Sequence, residues 1–106
     1  MTESEFKRHL EDTLIAVEEA IDESGAEIDF ETEGGVLTLR FSNRSKIIIN
    51  GQPTLQQLWV AAKSGGFHFN YDDTEGVWKN ETDHEELFSL LGKLCSEQTG
   101  HSVSFT

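Results

Sequence analysis

The chain has 106 residues, 36% of them hydrophobic, with 20 acids against 8 Lys and Arg and a formal charge of −12. That length suits one domain with a single core, residues 1–106, and the charge excludes nucleic acid and anionic membrane surfaces as natural partners. No apolar run approaches a membrane span, Met1-Thr2-Glu3-Ser4-Glu5 lacks the features of a secretion signal, and the lone Cys95 suits a reducing compartment, so a cytoplasmic protein is expected.

The first element reads as a helix from about Ser4 to Glu23. Phe6, Leu10, Leu14, Val17 and Ile21 recur at helical spacing and make one apolar stripe. Glu11, Glu18 and Asp22 fall near the opposite side, with Asp12, Glu19 and Glu23 in a row beside them. Ile15 falls among the acids and is expected to be exposed. Ser24-Gly25 ends the helix, Gly25 being suited to the position after the last turn. The period then changes to two. Glu27, Asp29, Glu31 and Glu33 alternate with Ala26, Ile28, Phe30 and Thr32, which predicts a half-buried edge strand with its acids on one face. Gly34-Gly35 turns the chain into a strand over Val36–Phe41, and Ser42–Ser45 turns it again into Lys46–Ile49. Asn50-Gly51 reads as a tight hairpin turn, with Pro53 just beyond it.

Leu58 and Val60 alternate with Gln57, Trp59 and Ala61, which favours a strand over a helix across 55–62. Gly65-Gly66 leads to a strand over Phe67–Tyr71. Residues 72–76 form a loop and Val77-Trp78-Lys79 a last short strand. Thr82-Asp83-His84-Glu85 matches a capping box and is expected to open a second helix running to about Thr99. Leu87, Leu91 and Leu94 give that helix its inner stripe. Gly100 ends it, and Val103–Phe105 forms a small strand or an extended tail. The expected fold is α+β: a two-layer sandwich with two helices on one face of an antiparallel sheet of five to seven strands.

Charge is localised within this frame. Residues 1–33 hold 12 of the 20 acids and only Lys7 and Arg8 as bases. Such a face is either simply solvated or matched to a positive ligand. Like charges one helical turn apart, as in Glu18 with Asp22 and Glu19 with Glu23, cost roughly 0.2–0.5 kcal/mol per pair. A helix that tolerates them with little basic compensation, beside an acidic strand, favours the second reading. Carboxylate oxygens suit hard cations such as iron, calcium, magnesium or manganese, held in exchangeable fashion on an open surface. His9 lies on the helix flank near Glu5 and Asp12, where it is either a further ligand or an ordinary surface histidine. On the sheet, Gln57, Trp59 and His68 point to the side away from the helices. An outward Trp59 either marks a binding surface or is shielded by a neighbour. No nucleophile elbow, phosphate loop or dinucleotide fingerprint occurs, so a non-enzyme is expected. Cys95 on an inner stripe reads as an inert core thiol.

One stretch carries a family signature. Ser45-Lys46-Ile47-Ile48-Ile49-Asn50-Gly51-Gln52-Pro53, continuing through Gln57-Leu58-Trp59-Val60-Ala61 to Gly65-Gly66-Phe67-His68-Phe69, resembles the frataxin family. The acidic first helix and strand, Gly34-Gly35-Val36-Leu37 and Val103-Ser104-Phe105 resemble it too, and the lack of an N-terminal extension suits the bacterial form. The resemblance implies an α/β sandwich that binds ferrous and ferric iron on an acidic ridge. It further implies binding to the cysteine desulfurase of the iron–sulfur assembly machinery, as an iron-dependent regulator or iron supplier. By position the ridge comprises Glu11, Asp12, Glu18, Glu19, Asp22, Glu23, Asp29, Glu31 and Glu33. The partner surface comprises Glu18, Glu19 and Asp22 on the ridge with Asn50, Gln57 and Trp59 on the sheet. Gly51 departs from the basic residue that relatives often carry, which is expected to weaken contacts from that turn. A monomer that oligomerises with iron is the expected state. The other reading, from a different class, is an acidic interaction module or inhibitor for which metal is incidental.

Overall fold

The computed structural model describes residues 1–105 and has the order α1 (Glu3–Ser24), β1 (Ile28–Glu33), β2 (Val36–Phe41), β3 (Lys46–Gln52), β4 (Gln57–Ala62), β5 (Gly65–Asp72), β6 (Val77–Asn80) and α2 (Leu87–Thr99). The six strands form one antiparallel sheet in chain order, each paired with the next. No helix among the described residues is long and apolar enough to cross a membrane.

α1 starts where a capping box is available: Glu5 N–H donates to Thr2 Oγ1 at 3.1 Å and Thr2 N–H to Glu5 Oε1 at 3.0 Å. It stops at Gly25, whose φ of 71° is in the left-handed region. Its stripe of Phe6, Leu10, Leu14, Val17 and Ile21 is buried as expected, and Ile15 is 51% exposed. The stripe packs with Leu87, Leu90, Leu91, Leu94 and Cys95 of α2 and with the inward residues of the strands, among them Leu37, Leu39, Ile47, Ile49, Leu58, Val60 and Phe69. Trp78 of β6 completes this core, its ring edge-on to Phe6 at 6.0 Å and its N–H donating to Thr13 Oγ1 of α1 at 2.8 Å. Among the described residues no helix lies on the outer face of the sheet.

Three local expectations are corrected. Asn50 and Gly51 do not turn; they continue β3, opposite Trp59 and Leu58 of β4, and the reversal falls at residues 53–56. There Gln56 N–H donates to the Pro53 carbonyl at 3.2 Å, and Gln56 takes a φ of 52°. Gly51 faces inward under α1, and a Cβ built on it would meet Leu10 Cδ2 at 2.4 Å. The glycine therefore lets helix and sheet approach closely and offers no side chain to a partner. Second, the capping box at 82–85 does not open α2. Buried Asn80 captures both the N–H and the hydroxyl of Thr82 with its side-chain carbonyl, at 3.1 and 2.9 Å. The helix starts only at Leu87, capped by Glu86, whose carboxylate accepts from the N–H groups of Phe88 and Ser89. Third, Ala26 and Glu27 precede β1, which begins at Ile28. Val103–Phe105 is an extended tail: the Ser96 hydroxyl accepts from Val103 N–H at 2.8 Å and donates to its carbonyl at 3.1 Å.

Gln98 ties α2 to the turns at one end of the sheet. It is 7% exposed; its side chain accepts from Lys63 N–H at 3.1 Å and donates to Ser45 Oγ at 2.8 Å, while its carbonyl accepts from Asn43 Nδ2 at 2.7 Å. Truncating it removes the side-chain partner of partly buried polar groups on two hairpins, Lys63 N–H and Ser45 Oγ. Gln98→Ala is expected to lower stability by about 1–3 kcal/mol in urea unfolding, with an unchanged denaturant slope.

Candidate functional site

The structure brings the sequence-predicted acids to one edge of the sheet, on two sides of one strand. Ile28 and Phe30 pack toward the helices, so Asp29, Glu31 and Glu33 project from β1 to the open side. Glu11, Asp12, Glu19, Asp22 and Glu23 are exposed on α1, in the other layer, and Glu18 is half-buried. The two sets join through Thr32, whose hydroxyl donates to Glu18 Oε2 at 2.5 Å. The sequence did not single out Thr32. Its inward phase within an acidic strand is the signal that could have done so.

The placement of the α1 acids is electrostatically unfavourable in two ways. Glu18, Glu19, Asp22 and Glu23 repel one another, and they crowd the end of the helix where the backbone dipole is negative, with no base in its last turn. On β1 the compensation is slight: exposed Arg40 of β2, opposite Asp29, approaches Glu31 at 3.8 Å. Among the described residues no three His, Cys, Asp or Glu side chains are arranged to hold a metal ion. A cation would therefore meet separate carboxylates on an open surface. His9 is half-buried and its ring stacks on Tyr71 of β5, with centroids 4.1 Å apart, in a groove that Asp12 also lines.

The open sheet face holds a second cluster. Asn50, Trp59 and His68 lie side by side on β3, β4 and β5. The Trp59 and His68 rings are stacked, 4.1 Å apart and 8° from parallel. Trp59 Nε1 donates to Gln57 Oε1 at 2.9 Å, and Gln57 Nε2 donates to Glu81 Oε1 and Asn70 Oδ1, each at 3.2 Å. His68 Nδ1 lies 3.1 Å from Glu81 Oε2. Trp59 is therefore half-buried and shielded on one side by a neighbour, as one of the two sequence readings has it. The pairing with His68 was available from the short turn at Lys63-Ser64, because counting back from Ala62 opposite Gly65 sets Trp59 against His68. Glu81 was not, since it lies beyond β6 and reaches back through its N–H to the His68 carbonyl at 2.9 Å.

Other ionisable groups serve the frame. Lys79 of β6 pairs with Asp72 at 3.0 Å and with Glu75, which clamps the β5–β6 hairpin; the Lys79 hydrogen bond holds the Asp72 carboxyl below its usual range. Cys95 is fully buried, and loss of hydration pushes its thiol up to about 12.

A two-layer α+β sandwich with an acidic edge and an uncovered sheet face defines the class. The profile of the Frataxin-like domain matches residues 1–101. The iron-sulfur cluster assembly protein CyaY of Pseudomonas paraeruginosa is 48% identical over 105 residues, covering 99% of this chain and 97% of the relative. Frataxin from Psychromonas ingrahamii superposes with a TM-score of 0.92 at 36% identity, covering 100% of this chain and 99% of that one. Trimeric frataxin from the yeast Saccharomyces cerevisiae, complexed with ferrous iron, superposes with a TM-score of 0.62 at 27% identity, covering 94% and 88%. The chain belongs to the frataxin family.

Two outcomes follow from the site's electrostatics. Glu23→Lys relieves repulsion at the negative end of α1 and is expected to raise stability by about 0.3–1 kcal/mol in thermal unfolding at low salt, with the gain shrinking in high salt. Cys95 is expected to resist alkylation up to pH 9 in the native protein and to react at once in denaturant, read by mass spectrometry.

Proposed function

We propose that this protein binds iron as cargo and engages the cysteine desulfurase of the iron–sulfur assembly machinery through its acidic edge. In this way it regulates cluster assembly or supplies iron to it. The metal-facing groups are Glu11, Asp12, Glu18, Glu19, Asp22 and Glu23 on α1 with Asp29, Glu31 and Glu33 on β1; other hard divalent cations can substitute. Glu18, Glu19 and Asp22, together with Asn50, Gln57 and Trp59 on the open sheet, face the desulfurase. The observation that carries the reading is the crowding of uncompensated carboxylates on the C-terminal half of α1, beside an acidic edge strand. The folded chain retains that cost, and a cation or a basic partner surface relieves it. Support comes from the relatives: one is named for iron–sulfur cluster assembly, and a yeast frataxin is complexed with ferrous iron. The chain works as one non-catalytic domain in the cytoplasm, monomeric without metal and self-associating as iron accumulates.

The test changes Glu18, Glu19, Asp22 and Glu23 together to Lys. Anaerobic ferrous titration and desulfurase binding are both expected to weaken by at least about tenfold, a loss of about 1.4 kcal/mol or more. Unchanged binding of both ligands would overturn the proposal. The lack of a preformed ligand shell among the described residues favours a second reading, in which the edge is an interaction module and metal is incidental. On that reading desulfurase binding falls with salt yet ignores iron and chelators.

A further inference from the structure

The Gln57–Trp59–His68–Glu81 cluster forms a closed circuit. The indole stacks on the imidazole, the imidazole meets one oxygen of Glu81, the other oxygen of Glu81 accepts from Gln57, and Gln57 accepts from the indole N–H. Every link joins residues on the open face, where no helix holds them. An indole standing alone on a bare sheet would be free to change rotamer, and ordering it on binding costs roughly 0.5–1.5 kcal/mol. Here the ring is fixed beforehand by its cross-strand partner. The partner is fixed in turn by Glu81, whose own N–H donates to the His68 carbonyl at 2.9 Å.

We propose that His68 and Glu81 are positioning residues of the partner surface: they hold the Trp59 indole and the Gln57 amide in a preset orientation. This rests on the reading that Gln57 and Trp59 face the desulfurase. Because the indole N–H is already engaged by Gln57, Trp59 offers a partner ring carbon surface, and the matching group is apolar, planar or cationic, not a hydrogen-bond acceptor.

The experiment compares the parent with His68→Ala, which removes the stack, His68→Phe, which keeps a flat ring but loses the link to Glu81, and Trp59→Phe, which assigns the indole signals. Two quantities are read on each variant. One is the order parameter and solvent exchange of the Trp59 indole N–H by nitrogen NMR; the other is affinity for the desulfurase. In His68→Ala the indole is expected to become mobile and fast-exchanging, and affinity to fall by about threefold to tenfold. In His68→Phe, which restores the stack without the Glu81 link, ring order and affinity should return only in part, to values between those of His68→Ala and the parent; full return would remove Glu81 from the positioning role. The Trp78 indole signal, buried against Thr13, should not move in either variant, which establishes that the fold is intact. A Trp59 indole as ordered in His68→Ala as in the parent would overturn the positioning role. An indole that loosens while desulfurase affinity stays constant would overturn the link to that partner. If Trp59→Phe and Gln57→Ala also leave affinity unchanged while the four-site α1 variant loses it, the sheet surface falls and the acidic edge stands.

Discussion

Both helices lie on the same side of the sheet, and the period of two along each strand then sorts every sheet side chain into one of two environments. Leu37, Leu39, Ile47, Ile49, Leu58, Val60 and Phe69 go under the helices and make the core. Their neighbours in sequence have no such cover. Asp29, Glu31, Asn50, Gln57, Trp59 and His68 therefore stand on an open surface because the residues between them are buried. A shift of one residue in the register of any strand would exchange the two sets. The same burial that stabilises the fold lays out both candidate surfaces.

The two surfaces are built on opposite principles. On α1 the acids are left in mutual repulsion and at the wrong end of the helix dipole, so their interaction with one another is unfavourable until something positive arrives. On the open sheet the polar and aromatic groups satisfy one another, and the buried side-chain polar atoms of the described residues all have partners. The acidic edge is held in an unrelieved electrostatic state, and the sheet cluster is held in a settled geometry. A cation at the first would relieve that repulsion, and a partner at the second would need little reordering of it.

Much of this was legible in the sequence because it depends on local periodicity. The helical stripe from Phe6 to Ile21 and the alternation from Ile28 to Glu33 specify the α1 and β1 faces directly, and the resemblance through residues 45–69 supplied the family. The failures share a cause. Asn50-Gly51 has the composition of a turn, yet pairing with β4 and the close approach of Leu10 hold it in β3. Thr82–Glu85 has the pattern of a cap, yet the buried Asn80 side chain takes Thr82 first. In the candidate site the acids were found by counting. The contacts that organise the two surfaces, Thr32 with Glu18 at the acidic edge and Glu81 with His68 on the open sheet, join segments distant in the chain and have no local signature.

The free margin of β1 has a further consequence. β6, at the far end of the sheet, is partly covered because the Lys79 backbone makes an antiparallel bridge to Glu86 just before α2, but among the described residues no strand lies beyond β1 in the sheet. An uncovered strand is a template for lateral pairing with a second copy, and charge along it is the usual safeguard. Asp29, Glu31 and Glu33 supply that safeguard at alternate positions, reinforced by the carboxylates of α1 one layer away. The groups proposed above to take up cations are thus the groups that keep neighbouring molecules apart. Neutralising them lowers the barrier to edge-on association, so on the proposed function solubility and ion loading would be governed by one set of side chains.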